Sequence, residues 1–100
     1  MSDSKPQSPR IVMYGTEYCS YCAAARMLLT KKGVEWEEIS ISGDEDKRRE
    51  MMDRSGGGRT VPQIFIDGKS IGGFDDLYSL EQDGQLDAIL NAAASNDDDA

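Results

Sequence analysis

Two cysteines, Cys19 and Cys22, are separated by two residues and follow a short apolar run. An Ala-rich segment typical of a helix comes directly after them. At the start of a helix, unpaired backbone N–H groups and the helix dipole favour an anion, so Cys19 is predicted to be the thiolate. Residues three apart on a helix share a face, so Cys22 can approach Cys19 and close a disulfide. The pair therefore predicts thiol–disulfide chemistry.

Other chemistries that use cysteine fit this sequence less well. A zinc site needs about four ligands, whereas the chain has two Cys and no His. A structural disulfide between Cys19 and Cys22 would stabilise the fold little, because closing so short a loop removes little entropy from the unfolded chain. A Cys-x-x-Cys motif beside a strand–helix–strand pattern therefore favours a redox-active dithiol.

The composition disfavours several classes of partner. A formal net charge of -8 opposes the phosphate contacts that dominate nucleic-acid affinity, so no DNA or RNA partner is expected. No run approaches the roughly 18 apolar residues of a membrane span, and the polar opening lacks the apolar core of a signal peptide. We therefore expect a soluble, cytoplasmic protein with no membrane partner. The 100 residues allow one domain, predicted over 10–92 between a disordered N-terminal tail, 1–9, and a disordered acidic C-terminal tail, 93–100.

The segments around the cysteines predict a βαβ unit. Arg10–Tyr14 is a short apolar run with β-branched members, typical of a central strand covered on both faces. Ser20–Lys32 has helical spacing, and Gly33 is predicted to end the helix. Val34–Ile41 alternates apolar and polar residues, which predicts a second strand. The predicted apolar face of the helix contains Ala24, Ala25, Leu28 and Leu29, whereas Arg26, Lys31 and Lys32 are predicted to face water.

The second half of the chain predicts a helix, a hairpin and two short helices. The charged segment Asp44–Arg54 is predicted to form a surface helix, which the glycines at 56–58 end. Those glycines are not followed by the Lys-Ser/Thr of a phosphate-binding loop, so nucleotide binding is not favoured. Thr60–Gly73 predicts a β-hairpin with Asp67-Gly68 as a type I′ turn. Two helical stretches, Phe74–Leu80 and Gln85–Leu90, follow it.

From Arg10 to about Leu90, the order of motifs resembles that of the glutaredoxins, the glutathione-dependent branch of the thioredoxin fold. After the Cys-x-x-Cys come Thr60-Val61-Pro62, the hairpin, Gly72-Gly73 and Asp75-Asp76. The chain is most similar to the small bacterial dithiol type, the glutaredoxin 3-like group. The resemblance implies an α/β, thioredoxin-like fold, in which a central mixed four-stranded sheet, βαβ then αββα, is flanked by helices.

Two positions differ from the common pattern of the family. Ser20 follows the first Cys where Pro is most common, and Thr16 stands where many members carry a Lys. Neither change removes a reacting atom. Without that Lys, the thiolate of Cys19 is expected to depend more on the helix start alone.

The resemblance implies a glutathione-dependent thiol–disulfide oxidoreductase with glutathione as co-substrate. Cys19 would take the glutathionyl group from a glutathionylated protein, and Cys22 would resolve mixed disulfides formed with protein disulfides. The Val61-Pro62 bond is expected to be cis and to present the Val61 backbone to glutathione. Implied partners are disulfide-containing or glutathionylated proteins, ribonucleotide reductase among them, and the protein is expected to be a monomer. The implied glutathione-binding residues are Tyr21, Arg59, Thr60, Val61, Pro62, Gly73, Phe74 and Asp75.

Two alternative functions remain open. A thioredoxin-like reductase would act without glutathione, but it would have no use for the motif Gly72-Gly73-Phe74-Asp75. A [2Fe–2S] carrier would hold its cluster between two subunits, through Cys19 of each and two glutathione thiolates. Ser20 permits this, although the single-Cys motif of dedicated carriers is absent, and the leading interpretation needs no metal. Two site residues also have simpler interpretations, Asp75 as a helix cap or first-turn acid and Tyr21 as an exposed spacer.

Overall fold

Strands and helices follow one another in the order that the sequence predicts. The computed structural model describes residues 10–91, so the predicted tails, and residue 92 at the end of the predicted domain, lie outside the described residues. The elements are β1 (Ile11–Gly15), α1 (Ser20–Lys31), β2 (Glu37–Ser40), α2 (Glu45–Ser55), β3 (Gln63–Ile66), β4 (Lys69–Gly72) and α3 (Phe74–Gln82). A further helical segment, α4, covers residues 85–91.

The four strands form one mixed sheet in the order β2-β1-β3-β4. β1 pairs in parallel with β2 and antiparallel with β3, and β3 and β4 form the predicted antiparallel hairpin. This βαβ unit followed by αββα is the thioredoxin-like arrangement, so the predicted fold class is confirmed. All five residues of β1 are buried, as its central position requires.

The edge strand β2 is shorter than the predicted Val34–Ile41. Its residues pair with β1 from Val12 opposite Glu37 to Gly15 opposite Ser40. This register uses four of the five residues of β1, because it begins at Val12 and leaves Ile11 unmatched. Val34 and Trp36 pack against the core from partly buried positions instead.

Local turn signals are confirmed at two places. Asp67 and Gly68 have φ values of 52° and 83°, and two successive positive φ values are what a type I′ hairpin turn requires. Gly56 caps α2 in the left-handed conformation with φ 75°, which ends that helix as predicted.

Alternation along β1 and β3 directs successive side chains into two cores, one on each face of the sheet. On one face Ile11, Met13, Ile64 and Ile66 pack against α1, α3 and α4, whose buried residues are Ala25, Leu29, Leu77, Leu86 and Leu90. On the other face Val12, Tyr14 and Phe65 pack against Met51 of α2. Among the described helices, none has both the length and the apolar character needed to cross a bilayer.

Arg26 of α1 and Lys32, the residue that caps the C-terminal end of α1, are predicted from the sequence to face water, but both are largely shielded from it. The side chains of Arg26 and Lys32 are only 28% and 13% exposed. Arg26 pairs with Glu38 of β2, and Lys32 pairs with Glu81 of α3 and Asp87 of α4. Helical periodicity places a residue around its own helix, but it does not show which element lies beside that position.

Candidate active site

Cys19 ends the loop after β1 and is the N-cap residue of α1, with extended φ and ψ of -116° and 119°. Its Sγ accepts a hydrogen bond from the backbone N–H of Cys22 at 3.2 Å, one of the donors that a helix start leaves unpaired. Cys19 is partly exposed, Cys22 is fully buried, and both are free thiols. The sulfur predicted to react first is therefore the one that a substrate can reach.

The surroundings separate the pKa values of the two thiols. Partial burial alone would raise the pKa of Cys19. Hydrogen bonds from the Cys22 thiol and from the backbone N–H groups of Cys22 and Tyr21, together with the charge of Arg26, outweigh burial and lower that pKa from the usual 9.0. Burial, with the hydrogen bond and negative charge of Cys19, raises the pKa of Cys22 to about 11. The sulfur that ionises more readily thus lies beside one whose pKa is raised, and the thiolate is the nucleophile in thiol–disulfide exchange.

Arg26 is a contributor that the sequence analysis missed. Its Nε lies 2.9 and 3.0 Å from the two carboxylate oxygens of Glu38, and one terminal nitrogen donates to the carbonyl oxygen of Thr16 at 3.2 Å. The expectation that the helix start alone favours the Cys19 thiolate is therefore incomplete, since the Arg26 charge also acts on it. A usable signal was present in the sequence, because Arg26 is four residues after Cys22 and so shares its helix face.

A groove of about 580 Å³ lies beside the cysteines. The Cys19 thiol lies 3.7 Å from the carbonyl oxygen of Val61, to which it is oriented to donate. Seven of the eight residues implied by the resemblance line this groove, namely Tyr21, Thr60, Val61, Pro62, Gly73, Phe74 and Asp75. The eighth, Arg59, is exposed and does not line it; its carbonyl oxygen accepts a hydrogen bond from Arg48 at 3.4 Å.

The far wall of the groove is built by backbone and glycine. The Val61-Pro62 peptide bond is cis, as the resemblance implied. Gly73 is the N-cap residue of α3, and its N–H donates to the Asp76 carboxylate at 3.1 Å. Gly72 has φ 114°, and an added Cβ there would overlap the Asp76 side chain, so only glycine fits. Asp76 supplies the cap, which leaves Asp75 exposed in the groove wall.

Aromatic side chains form one side of the groove. Tyr21 and Phe74 stack with ring centroids 6.4 Å apart, and Phe74 and Tyr78 stack at 5.7 Å. Tyr21 is 58% exposed, so it lines the groove and also contacts solvent. The two sequence interpretations of Tyr21, groove residue and exposed spacer, are both partly right.

Gln63 is a groove residue that the sequence analysis did not single out. It is buried at 6% exposure, and its side-chain amide donates to the Thr60 carbonyl oxygen at 3.0 Å. A Cβ added at Gly58 would lie 2.7 Å from both that amide nitrogen and the Ser55 hydroxyl oxygen. Gly58 therefore lets the loop after α2 close over Gln63, which gives one glycine of the long run a packing role.

The described residues 10–91 contain no group of three or more His, Cys, Asp or Glu side chains arranged to hold a metal ion. The fold and the sulfur geometry together define a class of protein. A central strand leads through a Cys-x-x-Cys into a helix, with a reachable sulfur of lowered pKa at the helix start and a buried partner thiol. This is the arrangement of a thiol–disulfide oxidoreductase of the thioredoxin-like fold.

Comparisons with known proteins give the family. The glutaredoxin family model matches residues 11–71. Glutaredoxin 3 of Escherichia coli K12 is 51% identical over 80 residues, which cover 80% of this chain and 95% of that protein. The solution structure of a glutaredoxin from Brucella melitensis is 46% identical with a TM-score of 0.72, covering 86% of this chain and 94% of that one. A crystal structure of a buckwheat glutaredoxin–glutathione complex is 30% identical with a TM-score of 0.76, covering 85% and 79%.

The chain therefore belongs to the glutaredoxin family, and the resemblance stated from the motifs is confirmed. Glutaredoxins are thiol oxidoreductases, so the protein is an enzyme of that class.

Proposed function

We propose that this glutaredoxin is a glutathione-dependent oxidoreductase that reduces protein disulfides and protein–glutathione mixed disulfides through Cys19 and Cys22. The observation that carries the proposal is that the Cys19 sulfur, 3.7 Å from the Val61 carbonyl oxygen, adjoins a groove whose wall includes Val61. The buckwheat relative with a similar fold was solved in complex with glutathione, which supports the same ligand here.

Two thiol–disulfide exchange reactions follow from the thiol environments, one with a glutathione mixed disulfide and one with a protein disulfide. The Cys19 thiolate attacks the glutathionyl sulfur of a mixed disulfide and expels the protein thiolate, and a second glutathione then reduces the Cys19–glutathione disulfide. With a protein disulfide, Cys22 loses its proton and attacks the Cys19 sulfur to release the bound protein. The negative charge of Cys19 is one cause of the high pKa of Cys22, and that charge disappears once Cys19 is in a mixed disulfide. Formation of the mixed disulfide therefore removes one cause of the high Cys22 pKa, while burial, the largest cause, continues to act.

The groove offers a partner for each part of glutathione. The Val61 backbone would pair with the cysteine moiety in the manner of an added strand. The Gly73 N–H is taken by Asp76, so the N–H groups of the first turn of α3, at Phe74 and Asp75, suit the γ-glutamyl carboxylate, and the Asp75 carboxylate suits the ligand's ammonium group. Arg59 lies outside the groove wall, so it and Thr16 are weaker candidates for the glycine carboxylate.

The wider proposals concern setting and partners. We place the enzyme in the cytoplasm as a monomer that serves electron transport and redox homeostasis. Its protein substrates would be disulfide-containing or glutathionylated proteins, with ribonucleotide reductase as a candidate to test.

The test is turnover of a glutathionylated peptide with glutathione and glutathione reductase, compared with turnover by thioredoxin reductase. Only the glutathione system should support activity. Cys22→Ser should retain deglutathionylation and lose reduction of protein disulfides, whereas Cys19→Ser should lose both. Equal loss in the two variants, or turnover only with thioredoxin reductase, would contradict the proposal.

Asp75→Asn sharpens the assignment of the groove. It should raise KM for the glutathionylated peptide and leave kcat little changed, because Asp75 touches the ligand away from the reacting sulfur. Asp53→Asn, an exposed carboxylate of α2, is the matched control and should change neither constant.

A further inference from the structure

The Arg26 side chain connects three parts of the fold that meet near the sulfurs. Arg26 is on α1, one turn after Cys22. Its Nε donates to both carboxylate oxygens of Glu38 on β2, at 2.9 and 3.0 Å. One terminal nitrogen of Arg26 also donates to the Thr16 carbonyl oxygen at 3.2 Å. Thr16 lies in the loop that leads from β1 to Cys19, so helix, edge strand and cysteine loop are joined by one cation.

Thr16 lies between Arg26 and the cysteines. Its carbonyl oxygen accepts the Arg26 hydrogen bond at 3.2 Å, and its backbone N–H acts against the rise in the pKa of Cys22. The Glu38 carboxylate is held in turn by Trp36, whose indole nitrogen donates at 3.2 Å. The side chains of Arg26 and Glu38 are 28% and 35% exposed, so both the charge and the orientation of the pair are partly protected from solvent.

We propose that Arg26, held by Glu38, is a positioning residue that sets the reduction potential of the Cys19–Cys22 dithiol. It keeps a positive charge beside the two sulfurs and ties down the loop that carries Cys19. The inference rests on the dithiol chemistry proposed above, but it does not depend on glutathione recognition.

A small disulfide, RSSR, oxidises the dithiol in two exchange steps. The Cys19 thiolate attacks a small disulfide RSSR and expels one RS⁻. Cys22 then releases its proton and attacks the Cys19 sulfur, expelling the second RS⁻. Two electrons leave the protein dithiol and reduce RSSR to two RS⁻ groups, which take up the Cys22 proton and one proton from the buffer. A positive charge stabilises the reduced form, which carries the thiolate, but not the neutral disulfide, so it makes the reduction potential less negative.

Few other charged groups face this pair of sulfurs. On α1 the nearby groups are the two thiols and Arg26, and β2 contributes Glu38 behind the arginine. Across the groove, the loop before β3 presents the Val61 carbonyl oxygen to Cys19. α3 contributes Asp75 and Asp76, of which Asp76 accepts the hydrogen bond from Gly73. Arg26 is therefore the cation whose removal should change the thiolate's stability most.

The experiment measures the reduction potential of the full chain in buffers of 2-mercaptoethanol and its disulfide, which lack the peptide groups of glutathione. Arg26→Gln should increase the equilibrium constant for oxidation of the dithiol about fivefold, which corresponds to a potential about 20 mV more negative at 29.6 mV per tenfold. Glu38→Gln should act in the opposite direction, by about twofold, because it removes a negative charge and leaves an amide oxygen to hold Arg26. Arg26→Lys should stay near the wild-type potential.

The control is Arg49→Gln on α2, which makes the same charge change at an exposed residue whose ion pair with Asp46 spans 3.9 Å, and it should leave the potential unchanged. A purely structural role predicts shifts of one sign for Arg26→Gln and Glu38→Gln, because both loosen the same contact. Shifts of one sign, or shifts no larger than that of the control, would overturn the inference. Fluorescence of Trp36, the only tryptophan, and thermal unfolding report whether each variant folds.

If Arg26→Gln does not fold, Arg26→Lys and Glu38→Gln decide the matter. A less negative potential for Glu38→Gln supports the inference, and an unchanged or more negative one overturns it. Mass spectrometry of the wild type separates this test from that of the proposed function. If no Cys19–Cys22 disulfide forms in the buffer, the dithiol mechanism fails; if it forms and the variants do not shift, only the role of Arg26 fails.

Discussion

The two ends of α1 are built for different purposes. The N-terminal end is open: Cys19 is partly exposed, it accepts the backbone N–H of Cys22 as a helix cap, and its thiol pKa is lowered. The C-terminal end is closed. Leu29 is fully buried in the core between the sheet and helices α1, α3 and α4. Lys32 lies 2.6 Å from Glu81 and 2.8 Å from Asp87, and these ion pairs join the end of α1 to α3 and α4.

The difference shows how one helix separates stability from reactivity. Anchoring at the C-terminal end fixes the helix in the fold, so the other end can keep a sulfur exposed and ready to react. Burial of apolar residues dominates the free energy of folding. The pKa of the Cys19 thiol is lowered instead by hydrogen bonds and nearby charge. Substitutions at the two ends should therefore change different measurements.

The largest effect is expected at the closed end. Leu29→Ala removes a fully buried side chain from the larger core and should lower the free energy of unfolding by about 3 kcal/mol, from lost apolar burial and the cavity left behind. Urea denaturation measures this. The rate at which iodoacetamide modifies Cys19 in the folded protein should not change. Met27→Ala, at a neighbouring residue that is 73% exposed, is the control and should cost less than about 0.5 kcal/mol.

The next effect concerns the open end and depends on pH. Alkylation by iodoacetamide requires the thiolate, so the rate at Cys19 should fall as pH decreases through a pKa that lies below 9.0. Cys22 should react appreciably only as pH rises towards about 11. At pH 7 Cys19 should react at least about tenfold faster, because a larger thiolate fraction outweighs its lower intrinsic nucleophilicity. Fragment mass spectrometry identifies the labelled sulfur, and preferential labelling of Cys22 would reverse the roles assigned to the two cysteines.

A pair of glycines gives a smaller effect and separates the ends directly. A Cβ added at Gly15 would lie 2.9 Å from the buried Cys22 sulfur, so Gly15→Ala should cost about 1 kcal/mol through overpacking and slow closure of the Cys19–Cys22 disulfide. Gly33→Ala, just past the other end of α1, meets no neighbour but is strained by φ +74°. It should cost a similar amount and leave disulfide closure unchanged. Stopped-flow kinetics of closure distinguish the two, and equal slowing would show that the ends are not independent.

Sequence alone predicts this molecule well where the cause is local. The Asp67-Gly68 turn, the end of α2 at Gly56 and the position of Cys19 at a helix start all follow from residue types and their immediate neighbours. The order of the motifs supplies the sheet and the cis bond before Pro62, because it identifies a family whose fold is known.

Sequence fails where a side chain meets a distant segment. Arg26 and Lys32 look solvent-facing by helical periodicity, yet each pairs with acids 12 to 55 residues away in the chain. Arg59 is adjacent in sequence to the groove residue Thr60 but does not line the groove, and its role in binding glutathione stays a prediction. Gln63 lines the groove, although its position in the sequence predicts only an ordinary strand residue. Long-range pairs and the direction of a side chain depend on packing, which a single sequence does not encode in any local pattern.

The smallest effect should come from the ion pairs at the closed end. Lys32→Met keeps the aliphatic stem but removes the charge that Asp87 and Glu81 bind, and it should lower the thermal midpoint slightly. These two acids raise the pKa of Lys32 from 10.5, so its contribution to stability is complete below that pH and is lost as pH rises through the raised value. The difference between wild type and variant should therefore disappear in strongly alkaline solution, and it should shrink with added salt. Lys31→Met, at an exposed neighbour, is the control and should show no such dependence. If Lys32→Met also changed the alkylation rate of Cys19, the closed end would be acting on the sulfur along the helix, and the separation of stability from reactivity would be wrong.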